Sequence, residues 1–274
     1  MMNRNIYFIK IYILCIIFLF VLAFCFNQSK PLNSAYAEYK ENQRNYSGDI
    51  DLDIVGFIAG VRYELKDVTN FKFANELKKA NDSELICKLS LLEISNKKNL
   101  DAINLLKTYL LNKPFNFYIE KHGHKITLDN EIQNLVFYIS PIVALIYSPF
   151  PDKDITNGEV YSYEFSFQFT YMEVPYKVNV KFNNKITKIE SVNDNVLIHF
   201  SDNIIATLYN GDTNKEIGSG KAVRVWVFNS TDGMIESYNL SLDIDKIEFH
   251  LSGGSFFAIS GKVRGKIILQ FEAD

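Results

Sequence analysis

A regular alternation of aromatic and polar residues runs from Val160 to Val174. Successive side chains of a β-strand point to opposite faces of a sheet, so this alternation predicts a strand with one aromatic face and one polar face. The aromatic face holds Tyr161, Tyr163, Phe165, Phe167, Phe169 and Tyr171.

Further strands are predicted from shorter apolar runs that turn signals separate. Pairs such as Asn-Asn, Asn-Gly and Asp-Gly are typical of tight turns, which join antiparallel neighbours in a meander. Before the aromatic strand the runs cover 51–63, 83–94, 115–120 and 125–128, and after it they cover 177–182, 185–191, 196–209, 222–229, 234–244 and 255–271.

Two segments change to the three- and four-residue period of a helix. The first covers 98–112 and stops before Pro114. The second covers 130–147 and is apolar around most of its circumference, including Ile139 and Val143. A helix with so few polar positions is expected to be buried against another element.

These elements predict an α+β fold, in which a large, curved, half-barrel-like antiparallel sheet carries the two helices on one face. A single domain is expected over 50–274, after a polar lead-in at 38–49. A chain of this length can bury a sizeable core without disulfides.

The segment 1–37 is typical of a cleavable signal peptide. Arg4 and Lys10 precede an apolar run from Ile11 to Phe26, and Ala35-Tyr36-Ala37 supplies small residues for a cleavage site before Glu38. We therefore predict an exported protein, in the periplasm or cell envelope or secreted. Two alternatives keep the chain on a membrane through its leader: retention as an anchor, or lipidation of Cys25.

Charge and motifs exclude some functions and support few. A formal net charge of −3 lacks the basic excess of a nucleic-acid-binding domain, so no nucleic-acid partner is expected.

His122-Gly123-His124 is interpreted as a hairpin tip, since two histidines across a tight turn need further ligands to hold a metal. Cys87 lies within a predicted strand and is expected to be an inert thiol. We predict no catalytic residue, metal or cofactor, and no enzymatic activity.

The aromatic face allows two interpretations. It is either a solid core face packed against the helices, or a face of which part lines a cavity for an apolar, lipid-like ligand. Tyrosine hydroxyls would give such a cavity its polar contacts. The candidate lining consists of Tyr161, Tyr163, Phe165, Phe167, Phe169 and Tyr171 from the strand, with Ile139 and Val143 from the second helix.

The first functional hypothesis is therefore a non-catalytic envelope or secreted protein that binds an apolar small molecule or an envelope-protein partner. The second is a structural or interaction module without a ligand cavity. The third is a hydrolase whose site has no recognisable motif.

The stretch from Phe150 to Tyr161, in which a proline-containing loop and a Gly-acid pair open an aromatic strand, resembles a pattern found in uncharacterised exported bacterial proteins. Gly218-Ser219-Gly220 and Asp232-Gly233-Met234-Ile235 fit the same layout, and the resemblance covers roughly residues 50–250. It implies export and the fold class, and it carries no catalytic residues. In architecture alone, the predicted fold is also similar to periplasmic lipoprotein carriers, which wrap a half-open barrel around helices.

Overall fold

The fold is given by a computed structural model, which describes residues 30–58, 61–96, 107–108, 111–128, 147–171, 174–250 and 258–271. Strands make up almost all of this described chain. In chain order they are β1 (Lys30–Pro31), β2 (Ser34–Ala35), β3 (Asn42–Ile58), β4 (Val61–Lys79), β5 (Glu84–Asn96), β6 (Phe115–Glu120), β7 (Ile126–Leu128), β8 (Ile155–Thr156), β9 (Val160–Tyr171), β10 (Val174–Val192), β11 (Asn195–Asn210), β12 (Glu216–Asn229), β13 (Met234–His250) and β14 (Ala258–Phe271).

Twelve of these strands form one antiparallel sheet. Its main path runs in the order β1, β10, β11, β12, β13, β14, β3, β4, β5, β6, β7, and β9 pairs with a separate stretch of β10. The ladder between β14 and β3 joins the N-terminal and C-terminal strands into the same sheet. The two short strands β2 and β8 pair with each other.

The strands are long because the two-residue alternation continues beyond the runs that are apolar throughout. Both β4 and β10 have 19 residues. Along β12, Ala222, Trp226 and Phe228 are buried, whereas Val223 and Val225 are exposed on the outer face. Buried positions on neighbouring strands are register partners, so together they form one continuous inner face.

The sheet curves strongly around this inner face. Phe117 on β6 and Phe228 on β12 are six strands apart along the sheet order, which would separate them by about 29 Å in a flat sheet at ~4.8 Å per strand. Instead, Tyr147 and Tyr39 connect them through successive ring-centroid distances of 5.5, 5.1 and 5.5 Å. Curvature therefore brings the two flanks of the sheet into contact through a shared core.

Phe150 completes this core on the side of β11 and β12. Its ring centroid lies 4.6 Å from that of Phe228, 5.9 Å from Trp226 and 6.0 Å from Phe200. Large rings contribute most of the apolar area that a core of this kind buries. Because Phe150 and Tyr39 come from loop segments, the connections between strands fill this end of the inner face.

The prediction of an α+β fold is wrong, because the described residues are nearly all in strands. Within them only Lys107 and Thr108 are helical. The predicted helices at 98–112 and 130–147 otherwise lie almost wholly outside the described residues, as do Ile139 and Val143. Among the residues that the structure describes, no helix is long and apolar enough to cross a membrane.

The described residues at the end of the first predicted helix contact β5. Leu111 forms an isolated parallel bridge with Leu91, and the Asn112 backbone N–H donates to the Leu91 carbonyl at 2.8 Å. Asn112 also has a φ of 57°, in the left-handed region that ends regular helices. These backbone contacts hold Leu111 and Asn112 against the edge of β5.

Candidate functional site

The register of β9 settles which way its aromatic stripe faces. Tyr161 lies opposite Asn184 on β10, and Tyr163 lies opposite Phe182, both of which are buried. The backbone register continues the same face along the strand, which places residues 165, 167, 169 and 171 opposite 180, 178, 176 and 174. The side chains of Phe165, Phe167, Phe169 and Tyr171 lie outside the described part of the structure.

The inner face next to Tyr161 carries a buried carboxylate, Asp202. Its Oδ2 accepts hydrogen bonds from Arg224 Nε at 2.6 Å and from Trp226 Nε1 at 2.6 Å, and Arg224 Nη2 lies 2.5 Å away. With the Asn184 amide oriented so that its nitrogen faces Asp202, that nitrogen donates to Oδ1 at 2.9 Å. Donors that approach both oxygens favour the ionised carboxylate, which needs them because it is removed from water.

Aromatic rings surround the guanidinium of Arg224. Its central carbon lies 4.8 Å from the ring centroid of Trp226, 5.1 Å from that of Phe182 and 5.9 Å from that of Tyr238. Tyr163 in turn stacks on Phe182, with 4.6 Å between centroids. A guanidinium held over aromatic faces in this way keeps its charge stabilised inside an apolar environment.

Burial and the ion pair shift the pKa values in this cluster. Burial raises the pKa of the Asp202 carboxyl, and the charge and hydrogen bonds of Arg224 oppose that effect. Burial lowers the pKa of Arg224, but Asp202, Tyr163 and Tyr238 together outweigh that effect and the net shift is upward. Burial raises the pKa of Tyr163 to about 12 and that of Tyr161 well above its ordinary value. The tyrosines therefore keep their protons at neutral pH.

Four buried hydroxyl groups surround this ion pair, and they belong to Tyr161, Tyr163, Tyr238 and Ser148. Tyr163 interacts with Ser148 and Arg224, and Tyr238 interacts with Arg224, so the hydroxyls converge on one region. The Tyr161 hydroxyl has no hydrogen-bond partner among the described residues. Buried polar groups are nearly always satisfied in folded proteins, so this unsatisfied hydroxyl requires an explanation. We call these four hydroxyls, with Asp202 and Arg224, the polar cluster.

Apolar residues continue the inner face on the far side of the polar cluster from the aromatic core. On β11 the next inward residue after Asp202 is Ile204, and on β12 the one after Arg224 is Ala222. On β13, Leu240 is the register partner of Arg224 and lies beside the ion pair. All three are buried, so apolar residues flank the polar cluster along and across the strands.

Sequence reasoning placed Tyr161 and Tyr163 correctly on this face but missed Asp202, Arg224 and Trp226. The sequence signal that could have revealed Asp202 is its spacing. It lies two residues from both Phe200 and Ile204 on β11, so all three side chains share one face of the strand. On β12 the apolar residues suggest the opposite face, because the valines on either side of Arg224 are expected to point inward. In the structure Arg224 and Trp226 are buried instead.

The histidine hairpin and the cysteine have ordinary surroundings. Tyr36 Oη lies 3.1 Å from His122 Nε2 and donates to Asp152 at 3.0 Å. Among the described residues, no group of three or more histidine, cysteine or acidic side chains is placed to hold a metal ion. Cys87 Sγ donates to Asn75 Oδ1 at 3.0 Å, and burial raises the pKa of this thiol, which makes it a poor nucleophile.

A pocket of about 830 Å³ lies elsewhere on the sheet. Its lining includes Asp49, Lys72, Glu93 and Ile268 from four neighbouring strands, together with Lys107. It does not include the residues of the polar cluster or the aromatic positions of β9. The two regions are therefore separate candidates, and only the polar cluster holds a buried group that needs a partner.

Comparison with known proteins adds no functional assignment. The chain matches no protein-family model, and no curated protein is a significant relative.

Proposed function

We propose that the protein is an exported, non-catalytic binding protein that holds an amphipathic, mainly apolar ligand on the inner face of its curved sheet. Tyr161 and Tyr163 are part of the binding site, as the alternation along β9 predicts. The polar cluster anchors the polar end of the ligand, and the buried apolar residues beyond Asp202 and Arg224 contact the rest of it.

The observation that carries the proposal is the unsatisfied hydroxyl of Tyr161 in the polar cluster. Leaving a buried hydroxyl without a hydrogen bond costs about 1–3 kcal/mol. A protein that only needed a stable core would gain stability from phenylalanine in place of Tyr161. A ligand group that accepts a hydrogen bond from this hydroxyl offsets that cost.

Export is supported by the composition of the leader. The apolar run from Ile11 to Phe26, with Arg4 before it, has the length and flanks of a secretory signal. An extracytoplasmic carrier of apolar molecules also needs no cofactor, which fits the proposed absence of catalysis. The partners that we propose are an apolar small molecule or a protein of the cell envelope that delivers or receives it.

The proposal is tested with the neutral fluorescent probe N-phenyl-1-naphthylamine. We expect saturable binding at one site per chain, with a blue-shifted emission. Ala206→Phe, which adds a large ring to the inner face of β11, should weaken binding at least tenfold. Asn203→Phe on the same strand should leave binding unchanged, because Asn203 is exposed on the outer face. A probe signal that never saturates, or that both variants affect equally, would contradict the proposal.

A protein-interaction module is the second candidate, and it has its own supporting observation. Val223 and Val225 are about half exposed on β12, and Ile205 is exposed on the adjacent β11. Contiguous exposed apolar residues are typical of surfaces that contact another protein. Val225→Ser should abolish a stable complex if this surface forms one, and it should leave probe binding intact.

A further inference from the structure

The pocket of about 830 Å³ lies on the outer face of the sheet, where β14, β3, β4 and β5 are neighbours. Tyr46 on β3 and Phe73 on β4 are buried on the inner face, so the residues that alternate with them face outward. The volume of the pocket is within the range of roughly 300–1,000 Å³ that small-molecule sites occupy. The outer face therefore offers room for a ligand outside the polar cluster.

Eight of the lining side chains form two rows across the four strands. One row consists of Ile268, Asp49, Asn70 and Ser95, and the other consists of Gln270, Ser47, Lys72 and Glu93. Residues within a row are register partners on strands that are about 4.8 Å apart, so their side chains are neighbours on one face. We call these two rows, together with Leu92, Lys107 and Leu111 of the same pocket, the outer groove.

The charges of the outer groove cancel. Its lining contains two lysines and two carboxylates: Lys72, Lys107, Asp49 and Glu93. Lys72 Nζ lies 3.8 Å from Glu93 Oε2, and the Asp49 carboxylate accepts a hydrogen bond from the Asn70 amide. A groove with this balance has no basic excess to attract an anion and no acidic excess to attract a cation. An uncharged ligand is therefore favoured.

Hydrogen-bond donors and acceptors lie side by side in the outer groove. The hydroxyls of Ser47 and Ser95 both donate and accept, and the amides of Asn70 and Gln270 also present both kinds of group. A hydroxyl of a ligand has the same two capacities, so a molecule that carries many hydroxyls can pair with each of these side chains. The apolar side chains of the groove suit the C–H groups of such a molecule: Leu92, Leu111 and Ile268.

A peptide would need a different kind of surface. Extended peptides commonly bind through main-chain hydrogen bonds to an exposed strand edge. Across the outer groove, β14, β3 and β4 are each paired along both edges, so their backbone groups are already used within the sheet. Only side-chain groups of these strands are left for recognition, which suits a ligand that carries hydroxyls around its surface.

We propose that the outer groove is a saccharide-binding site whose ligand is a short, neutral oligosaccharide. The hydroxyls of the sugar pair with the two rows of side chains, and the apolar residues of the groove contact its C–H groups. This second site lies on the opposite face of the sheet from the polar cluster, and it does not depend on the proposed function.

Calorimetric titration of the purified full-length protein with three neutral trisaccharides tests the proposal: maltotriose, cellotriose and triacetylchitotriose. We expect at least one of them to bind at one site per chain. Two charged trimers, trigalacturonate and triglucosamine, should bind at least tenfold more weakly than that trisaccharide. Raising the NaCl concentration from about 0.05 M to about 0.5 M should change its affinity less than twofold, because no ion pair forms between protein and ligand.

Matched variants locate the sugar in the outer groove. Ser47→Leu removes a hydroxyl and adds bulk at the centre of the groove, and it should weaken binding about tenfold. Ser166→Leu makes the same change at an exposed position of β9 outside the groove, and it should bind as the parent does. Gln270→Ala removes one hydrogen-bonding group and should weaken binding about two- to tenfold, which gives a second measurement if Ser47→Leu folds poorly.

Three outcomes would overturn the proposal. The outer groove is not a saccharide site if none of the three neutral trisaccharides binds, or if Ser47→Leu and Gln270→Ala both leave binding unchanged. Tighter binding of a charged trimer would show that charge selects the ligand, in place of pairing between hydroxyls. Binding of N-phenyl-1-naphthylamine is measured separately on the same variants, so a failure here is distinguishable from a failure of the proposed function.

Discussion

Tyr163 stacks on Phe182 with 4.6 Å between ring centroids and 7° between ring planes. The two residues are register partners, and the Arg224 guanidinium lies 5.1 Å from the Phe182 ring. This packing places the aromatic strand β9 directly beside the buried ion pair. It explains how a strand whose sequence shows only aromatic alternation contributes to a polar site, since Tyr161 and Tyr163 pack on the core beside the two charges.

Asp202 is expected to be the residue whose loss affects stability most. Asp202→Asn removes the negative charge that compensates Arg224, and breaking one half of a buried pair costs about 3–5 kcal/mol. The free energy of unfolding, from urea titration followed by circular dichroism, measures this loss. Asp202→Leu combined with Arg224→Met removes both charges and should be less destabilising than Asp202→Asn alone.

The control for this prediction is the exposed ion pair between Arg62 and Glu64 on β4. Solvent-exposed pairs contribute little to stability, so Glu64→Gln should change the unfolding midpoint only slightly. If Asp202→Asn were as mild as this control, the ion pair would not be buried in solution.

Two tyrosines with different hydrogen bonding make a matched pair of predictions. The Tyr39 hydroxyl donates to the Ser148 carbonyl at 3.1 Å and accepts from the Ser148 N–H at 2.8 Å, whereas the Tyr161 hydroxyl has no partner among the described residues. Tyr39→Phe should therefore destabilise the ligand-free protein by about 1–3 kcal/mol. Tyr161→Phe should be neutral or stabilising, because it removes an unsatisfied buried group. Thermal unfolding of the ligand-free proteins compares the two, and equal losses would show that the Tyr161 hydroxyl has a partner after all.

The strand content could be predicted from the sequence because a two-residue period is a local signal. The aromatic strand was predicted from 160 and begins there as β9, and the run 196–209 corresponds closely to β11.

The error at Asn183-Asn184 has a physical cause. This pair was interpreted as a turn, since asparagine favours turns. In the structure it lies within β10, where Asn184 is buried and faces Asp202, so a tertiary hydrogen bond decides its conformation.

The hairpin of β3 and β4 was the largest element that the sequence did not reveal. One strand was predicted over 51–63, but β3 ends at Ile58 and β4 begins at Val61, so the turn falls inside that run. An apolar run with glycines reads equally well as a bulged strand or as two strand ends at a hairpin. The polar cluster was also hidden, because its members come from β9, β11, β12, β13 and the loop before β8 and meet only after the sheet has formed.

Alkaline pH should expose the burial of Tyr163. Its pKa is raised to about 12 by burial, whereas the phenol of an unfolded chain ionises near ~10. The stability that this group contributes is fully present below about pH 10 and is lost as the pH rises toward 12, because the unfolded chain releases its proton first. Between these values the free energy of unfolding should fall by about 1.4 kcal/mol per pH unit from Tyr163 alone. Urea titrations at pH 9, 10 and 11 should give a shallower decline for Tyr163→Phe than for the parent, and identical declines would contradict the burial of this hydroxyl.

The segment between Lys30 and Ala37 should belong to the mature protein. Leu32 donates its backbone N–H to the Ile189 carbonyl at 2.9 Å, its own carbonyl accepts from Asn157 Nδ2 at 2.7 Å, and Ala37 is fully buried. Cleavage directly after Ala37 would remove all of these contacts. We therefore expect the free energy of unfolding to be higher for a chain that begins at Lys30 than for one that begins at Glu38. The difference should be on the order of 3 kcal/mol, because the shorter chain loses several hydrogen bonds and a buried side chain together. The intact mass of the exported protein gives the processing site directly. A mature N-terminus upstream of Lys30 would agree with the structure, and a fully stable protein that starts at Glu38 would contradict the role of these contacts.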